Sequence, residues 1–110
     1  MSIKDWIKDL TMPLATIAAK DLYRRYAEGP VLILDVRSPR EFNRAHIKGT
    51  TNLPFEQVDK YTRSHDQPIY VICQSGHRSW HATKTLTKAG YQAVYVKGGL
   101  DQWPGDLVRG

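Results

Sequence analysis

The stretch IYVICQSGHRSWHATKTL, from Ile69 to Leu86, decides how this chain folds. Its first four residues, Ile69 to Ile72, are a short apolar run that ends at Cys73, the one cysteine of the chain. A compact polar loop follows, closed by Arg78, and from Ser79 onward Ala82, Leu86 and Ala89 recur at helical spacing, with Gly90 placed to cap the helix. A strand buried on both faces of a parallel sheet reads as such a continuous run, and open α/β sheets hold their ligands at the carboxyl ends of their strands. Cys73 stands at one of those ends, so the order is strand, nucleophile, anion cradle, helix.

The loop has the chemistry of an anion site. Backbone N–H groups between Gln74 and Ser79 lack partners inside a helix, and the first turn of the following helix carries partial positive charge. Arg78 adds a permanent charge, and cations beside a helix N-terminus favour the thiolate form of a cysteine. Gly76 lets the loop turn without a Cβ penalty. Upstream, the run VLILDV, Val31 to Val36, reads as a second central strand, with Asp35 and Arg37 at its carboxyl end on the same rim as Cys73. Asp35 is expected either to brace the active loop, through Arg78, or to form an ion pair remote from the chemistry.

From Cys73 to Ser79 (CQSGHRS) and in four further places, the chain resembles the rhodanese-homology family. The other features are DVR at Asp35 to Arg37, EF at Glu41 and Phe42, HIKGTTNLP from His46 to Pro54, and GGLDQW from Gly98 to Trp103. They run in the family's order from about Ile17 to Trp103. The resemblance implies an α/β fold, a single rhodanese-like domain over residues 14–110, whose central, mainly parallel five-stranded sheet carries helices on both faces. It also implies a sulfurtransferase in which Cys73 takes sulfane sulfur from a donor such as thiosulfate and holds it as a persulfide for a thiophilic acceptor, cyanide or a thiol.

On that reading Cys73 and Arg78 are catalytic. Gln74, Ser75, Gly76, His77 and Ser79 bind substrate, the backbone N–H groups from Gln74 to Arg78 cradle the persulfide, and Asp35 and Arg37 support the site. No cofactor and no metal are called for. The partners are a small anionic sulfur donor, a thiol or cyanide acceptor, and potentially a protein donor or acceptor. The main alternative is a persulfide carrier or docking module that acts on a protein partner with little small-molecule turnover.

Two other chemistries use the same residues. Phosphate or arsenate chemistry needs a thiolate and an arginine, but the four residues between Cys73 and Arg78 make a loop one residue shorter than that of cysteine-dependent phosphatases. Metal binding by Cys73, His77 and His81 needs all three on one helix, whereas the apolar run before Cys73 argues for a strand end.

The rest of the chain frames this centre. Ile17 to Glu28 reads as an extended entry and a helix ended by Gly29 and Pro30. Ser38 to Glu41 carries a capping arrangement that starts another helix, running to Ala45. His46 is expected to be hydrogen-bonded scaffold. Thr51 to Leu53 is a short strand-like run, Pro54 to Tyr61 a short helix and Tyr91 to Val96 the last strand. Trp103 is expected in the core and Trp80 at the rim of the site. Residues 1–13 are expected to form a separate amphipathic helical extension, because Ile3, Trp6, Ile7 and Leu10 fall at helical spacing.

At 110 residues the chain has room for one core. Its formal charge of +5 comes from 16 Lys and Arg against 11 Asp and Glu. The cations are scattered, without an aromatic-interleaved stripe, so they favour small anionic substrates over nucleic acid. No window is long and apolar enough for a membrane span or a signal peptide core, and a lone thiol fits a reducing compartment, which makes the cytoplasm the expected location.

Overall fold

The structure, a computed structural model, describes residues 13–110. The helix expected over residues 1–13 therefore lies, apart from Pro13, outside the described residues. In chain order the elements are β1 (Ala15–Ala18), α1 (Ala19–Glu28), β2 (Leu32–Asp35), α2 (Pro39–Arg44) and β3 (Thr51–Asn52). A 3₁₀ helix (Phe55–Lys60), β4 (Ile69–Ile72), α3 (His77–Lys88), β5 (Ala93–Lys97) and a 3₁₀ turn (Gly99–Gln102) follow.

The five strands form one sheet in the order β1-β5-β4-β2-β3, and every strand pairing is parallel. The sheet is thus fully parallel where the sequence implied a mainly parallel one. The antiparallel contact among the described residues is an isolated bridge between His46 and Val108. All four residues of β4 are buried, as its unbroken apolar run requires of a central strand.

Two cores lie on opposite faces of the sheet. Leu34, Ile69 and Val71 pack with Val58, Ala82 and Leu86 beneath the Phe55–Lys60 helix and α3. Ile33, Tyr70, Ile72 and Val96 pack with Ala19, Leu22, Leu100 and Trp103 beneath α1 and the last 3₁₀ turn. Alternate residues of the same strands feed the two cores, because successive side chains of a strand point to opposite faces.

This strand order creates the site. From β2 the chain moves outward to β3, whereas from β4 it moves the other way, to β5. The connections that leave the carboxyl ends of the neighbouring strands β2 and β4 therefore run in opposite directions, which is where open α/β sheets form a binding crevice. Asp35 pairs in register with Ile72, and the Val36 N–H donates to the Ile72 carbonyl at 2.9 Å, so both strands end at one level.

Local sequence signals set the helix ends. Ser38 and Glu41 form the expected capping box on α2, with the Ser38 hydroxyl accepting from the Glu41 N–H and the Glu41 carboxylate from the Ser38 N–H. Gly90, at φ +93°, ends α3: its N–H donates to the Thr87 carbonyl and that of Tyr91 to Leu86. The helix starts two residues earlier than expected, at His77, because Gly76 at φ +114° completes the turn out of β4 by itself. The last strand starts at Ala93 instead of Tyr91. The Tyr91 ring is drawn into the core, with its hydroxyl on the Tyr61 carbonyl at 3.0 Å.

Candidate active site

Cys73 is 1 % exposed, and its sulfur faces into the turn between β4 and α3. Two backbone donors converge on Sγ, the Gly76 N–H at 3.1 Å and the Ser79 N–H at 3.3 Å. The Ser79 hydroxyl sits 3.3 Å from Sγ and 3.2 Å from the Gly76 carbonyl. As a thiol, Cys73 donates to Ser79 Oγ, which donates onward to Gly76. As a thiolate it can instead accept from that hydroxyl. The arrangement points two fixed backbone dipoles at the sulfur, at a helix start that adds its own.

The loop is fixed from beneath by the Gly98–Gly99 turn. The Leu100 N–H donates to the Cys73 carbonyl at 2.9 Å and the Asp101 N–H to the Gln74 carbonyl at 3.0 Å. This approach requires glycine at position 99. Its φ is +58°, and a Cβ there would lie 2.5 Å from the Cys73 oxygen and 2.7 Å from the Gln74 oxygen. Both carbonyls are thereby turned away from the bowl.

Gln74 is exposed but tethered. Its Nε2 donates to the Asp101 carboxylate at 2.7 Å, while Arg37 Nη1 reaches its Oε1 at 3.5 Å. Arg37 is itself buried against Asp35, with Nε and Nη2 donating to both carboxylate oxygens and Nη2 also to the Ala45 carbonyl at 2.7 Å. Asn52 Nδ2 ties the Asp35 and Arg37 carbonyls together from β3.

Asp35 does not engage Arg78, contrary to one of the two expectations from sequence. Arg37, two residues along the same strand end, occupies its carboxylate. Arg78 instead forms a two-pronged pair with Glu41 at 2.7 and 2.9 Å. A cation in the first turn of a helix opposes the helix dipole, and the Glu41 carboxylate offsets that. The Arg78 hydrogen bonds, with smaller help from Ser38, hold the Glu41 carboxyl at about 2, well below its ordinary 4.5. The same pairing raises Arg78. Asp35 thus meets the loop only indirectly, through Arg37 and Gln74.

Of the other predicted residues, Ser75 and His77 are exposed on the rim, and Gly76 and Ser79 are buried against the sulfur. Ser79 lies outside the expected Gln74–Arg78 run of backbone donors, yet its N–H reaches Sγ. Trp80 is exposed, with the Lys84 ammonium 4.5 Å over its ring, and Trp103 is buried. His46 is buried scaffold, its Nδ1 2.8 Å from the Phe42 carbonyl. His77 and His81 lie one turn apart on α3, while Cys73 stays on the strand end. Among the described residues no three His, Cys, Asp or Glu side chains gather as a metal site.

Two contributors were not legible as site residues. One is Glu41, whose sequence signal was a capping role. The other is Tyr95 on β5, whose hydroxyl lies beside Gly76, 2.5 Å from where a Cβ would stand. Burial and then the negative charge of Cys73 push the Tyr95 phenol up. An alternating strand tyrosine offers no local signal of this kind. The adjacent glycines at 98 and 99 were the signal for the close approach beneath the loop.

The family profile described as "Rhodanese-like domain" matches residues 18–106. The chain is 38 % identical over 78 residues to "Uncharacterized protein YqhL" of Bacillus subtilis (strain 168), covering 68 % of this chain and 62 % of that protein. It is 40 % identical over 76 residues to "Putative sulfur carrier protein YrkF" of the same organism, covering 66 % of this chain and 41 % of that one. The chain thus spans less than two thirds of either relative. A rhodanese-like domain protein from Staphylococcus aureus superposes with a TM-score of 0.82 at 27 % identity, covering 88 % of this chain and 99 % of that one. With its all-parallel five-stranded sheet and a profile match across most of its length, this chain belongs to the rhodanese-like domain family.

Proposed function

We propose that the protein is a sulfurtransferase that carries sulfane sulfur on Cys73. The observation that supports this best is the pair of backbone N–H groups aimed at Cys73 Sγ inside a loop anchored from below. In the first half-reaction the Cys73 thiolate attacks the outer sulfur of a donor such as thiosulfate. The new S–S bond forms, the donor's own S–S bond breaks, and sulfite leaves with the electron pair. In the second, an acceptor nucleophile attacks the outer sulfur of the persulfide and the Cys73 thiolate is the leaving group.

Cys73 is the nucleophile, and Gly76 and Ser79 stabilise charge on the sulfur chain through their N–H groups. Arg78 acts at the bowl as half of its ion pair with Glu41, which fixes the first turn of α3 beside the sulfur. Gln74, Ser75 and His77 form the rim met by donor and acceptor, and Asp35 with Arg37 keeps Gln74 in place. The free thiol fits a reducing compartment, and the cytoplasm is the proposed location.

The deep burial of Cys73 and the similarity to a protein named as a sulfur carrier favour a second reading, a persulfide carrier that serves a protein partner. Intact mass before and after thiosulfate tests the chemistry. A gain of one sulfur atom, absent in Cys73→Ser and removed by cyanide, is expected. No gain from thiosulfate or from a persulfide-bearing protein donor would refute sulfur transfer. Loading with transfer only to protein acceptors would select the carrier.

A further inference from the structure

On the Ser75 side of the active loop lies an open groove of about 690 Å³, walled by the first turn of α1 and by the end of β5. Its lining includes Lys20, Ser75, Tyr95, Lys97, Gly98 and Gln102, and no acidic side chain. Its size falls in the range of roughly 300–1,000 Å³ that small-molecule sites occupy.

The charges in this groove are free. Neither Lys20 nor Lys97 joins an ion pair among the described residues, and the Tyr95 hydroxyl has no hydrogen-bond partner there. The cavity on the other side of the loop differs. It is lined by Arg37, Glu41, Arg44 and Gln74, and there Arg37 is neutralised by Asp35 and Glu41 by Arg78. Arg44 of that lining joins no ion pair among the described residues either, but the Lys97 side brings two such cations to the loop with no carboxylate in its lining. The Tyr95 hydroxyl, at the edge of Gly76, links the groove to the turn that holds the sulfur.

We propose that this groove is the subsite for the sulfur acceptor, a low-molecular-weight thiol whose body carries several negative charges. Lys20 and Lys97 receive the anionic groups, and Tyr95 and Ser75 guide the sulfur end over the rim to the persulfide. The acceptor thiolate attacks the outer sulfur, the Cys73 S–S bond breaks, and the acceptor leaves as a persulfide while Cys73 returns to the thiolate. No electrons are gained or lost overall. The inference rests on sulfur transfer by Cys73 but concerns a different set of residues.

Binding is measured without chemistry by amide NMR titration of the full-length Cys73→Ser protein. Two probes separate the sources of charge, S-methylglutathione for carboxylates and S-methyl-coenzyme A for phosphates. Saturable shifts at Ser75, Tyr95, Lys97 and Gly98 are expected with at least one probe, weakened about tenfold by the paired exchange Lys20→Glu and Lys97→Glu at low salt. No shifts at these residues with either probe, or affinity unchanged by the charge reversal, would overturn the proposal.

A kinetic arm uses the sulfur-loaded protein. The ratio of kcat/KM for the corresponding free thiol over that for neutral 2-mercaptoethanol should fall about tenfold in the paired variant. An unchanged ratio would also overturn it. Failure to load sulfur at all would strike the sulfur-transfer reading, whereas the titration judges the groove independently.

Discussion

Replacing Gly99 by alanine tests whether the turn after β5 holds the active loop in place. The substitution has two separable costs. An L-residue at φ +58° meets the left-handed penalty of about 1–2 kcal/mol. The new Cβ would also stand 2.5 Å from the Cys73 oxygen, 2.7 Å from the Gln74 oxygen and 3.0 Å from the Gln74 carbonyl carbon. These are backbone atoms and cannot rotate away, so loop and turn must part. That weakens the hydrogen bonds from Leu100 and Asp101, at 2.9 and 3.0 Å, each with a net value of about 0.5–1.5 kcal/mol.

The total for Gly99→Ala is about 2–5 kcal/mol, within what a domain of this size tolerates without unfolding. Gly49 supplies the control. It has φ +87° and nothing within 4 Å of a built Cβ, so Gly49→Ala carries the conformational cost alone, about 1–2 kcal/mol. Urea denaturation of both variants gives the difference, about 1–3 kcal/mol in favour of Gly49→Ala. Sulfur loading, followed by intact mass against time, should slow at least tenfold in Gly99→Ala and stay unchanged in Gly49→Ala. Equal losses of stability, with loading at the parent rate in both, would refute the claim that this contact positions Cys73.

Three further outcomes follow from the site. Asp35→Ala strands the buried Arg37 guanidinium and should cost about 3–5 kcal/mol in urea unfolding; a loss below about 1 kcal/mol would mean that the pair is solvated. Glu41 has its folded value depressed from 4.5 to about 2, so its contribution is present above pH 4.5 and is lost as pH falls toward 2. Because both partners are about a third exposed, that contribution is discounted to about 1 kcal/mol: the parent should lose that much more stability than Glu41→Gln between pH 6 and pH 2.5, and parallel profiles would contradict it. Ser79→Ala removes the hydroxyl beside Sγ, costs about 1 kcal/mol and should slow Cys73 alkylation by iodoacetamide severalfold; an unchanged rate would show that the backbone donors suffice.

The sequence by itself determined the features carried by near neighbours along the chain. The unbroken apolar run at Ile69–Ile72 required a central strand, and Ser38 with Glu41 capped α2. Gly90 ended α3, and Cys73 stood at a strand end before a helix. Such signals are legible because periodicity and capping involve residues only a few positions apart. The tertiary structure alone decided which charges meet. Two carboxylates, Asp35 and Glu41, were available to Arg78, 37 residues beyond Glu41. Arg37, on the same strand end, had already taken Asp35, while the adjacency of β2 and β4 set α2, which follows β2, beside the first turn of α3, which follows β4. The same strand order brought Tyr95 of β5 beside Gly76, and the Leu100 and Asp101 N–H groups beneath Cys73 and Gln74. These contacts join residues from different strands and turns, and their geometry comes into being only when the sheet assembles.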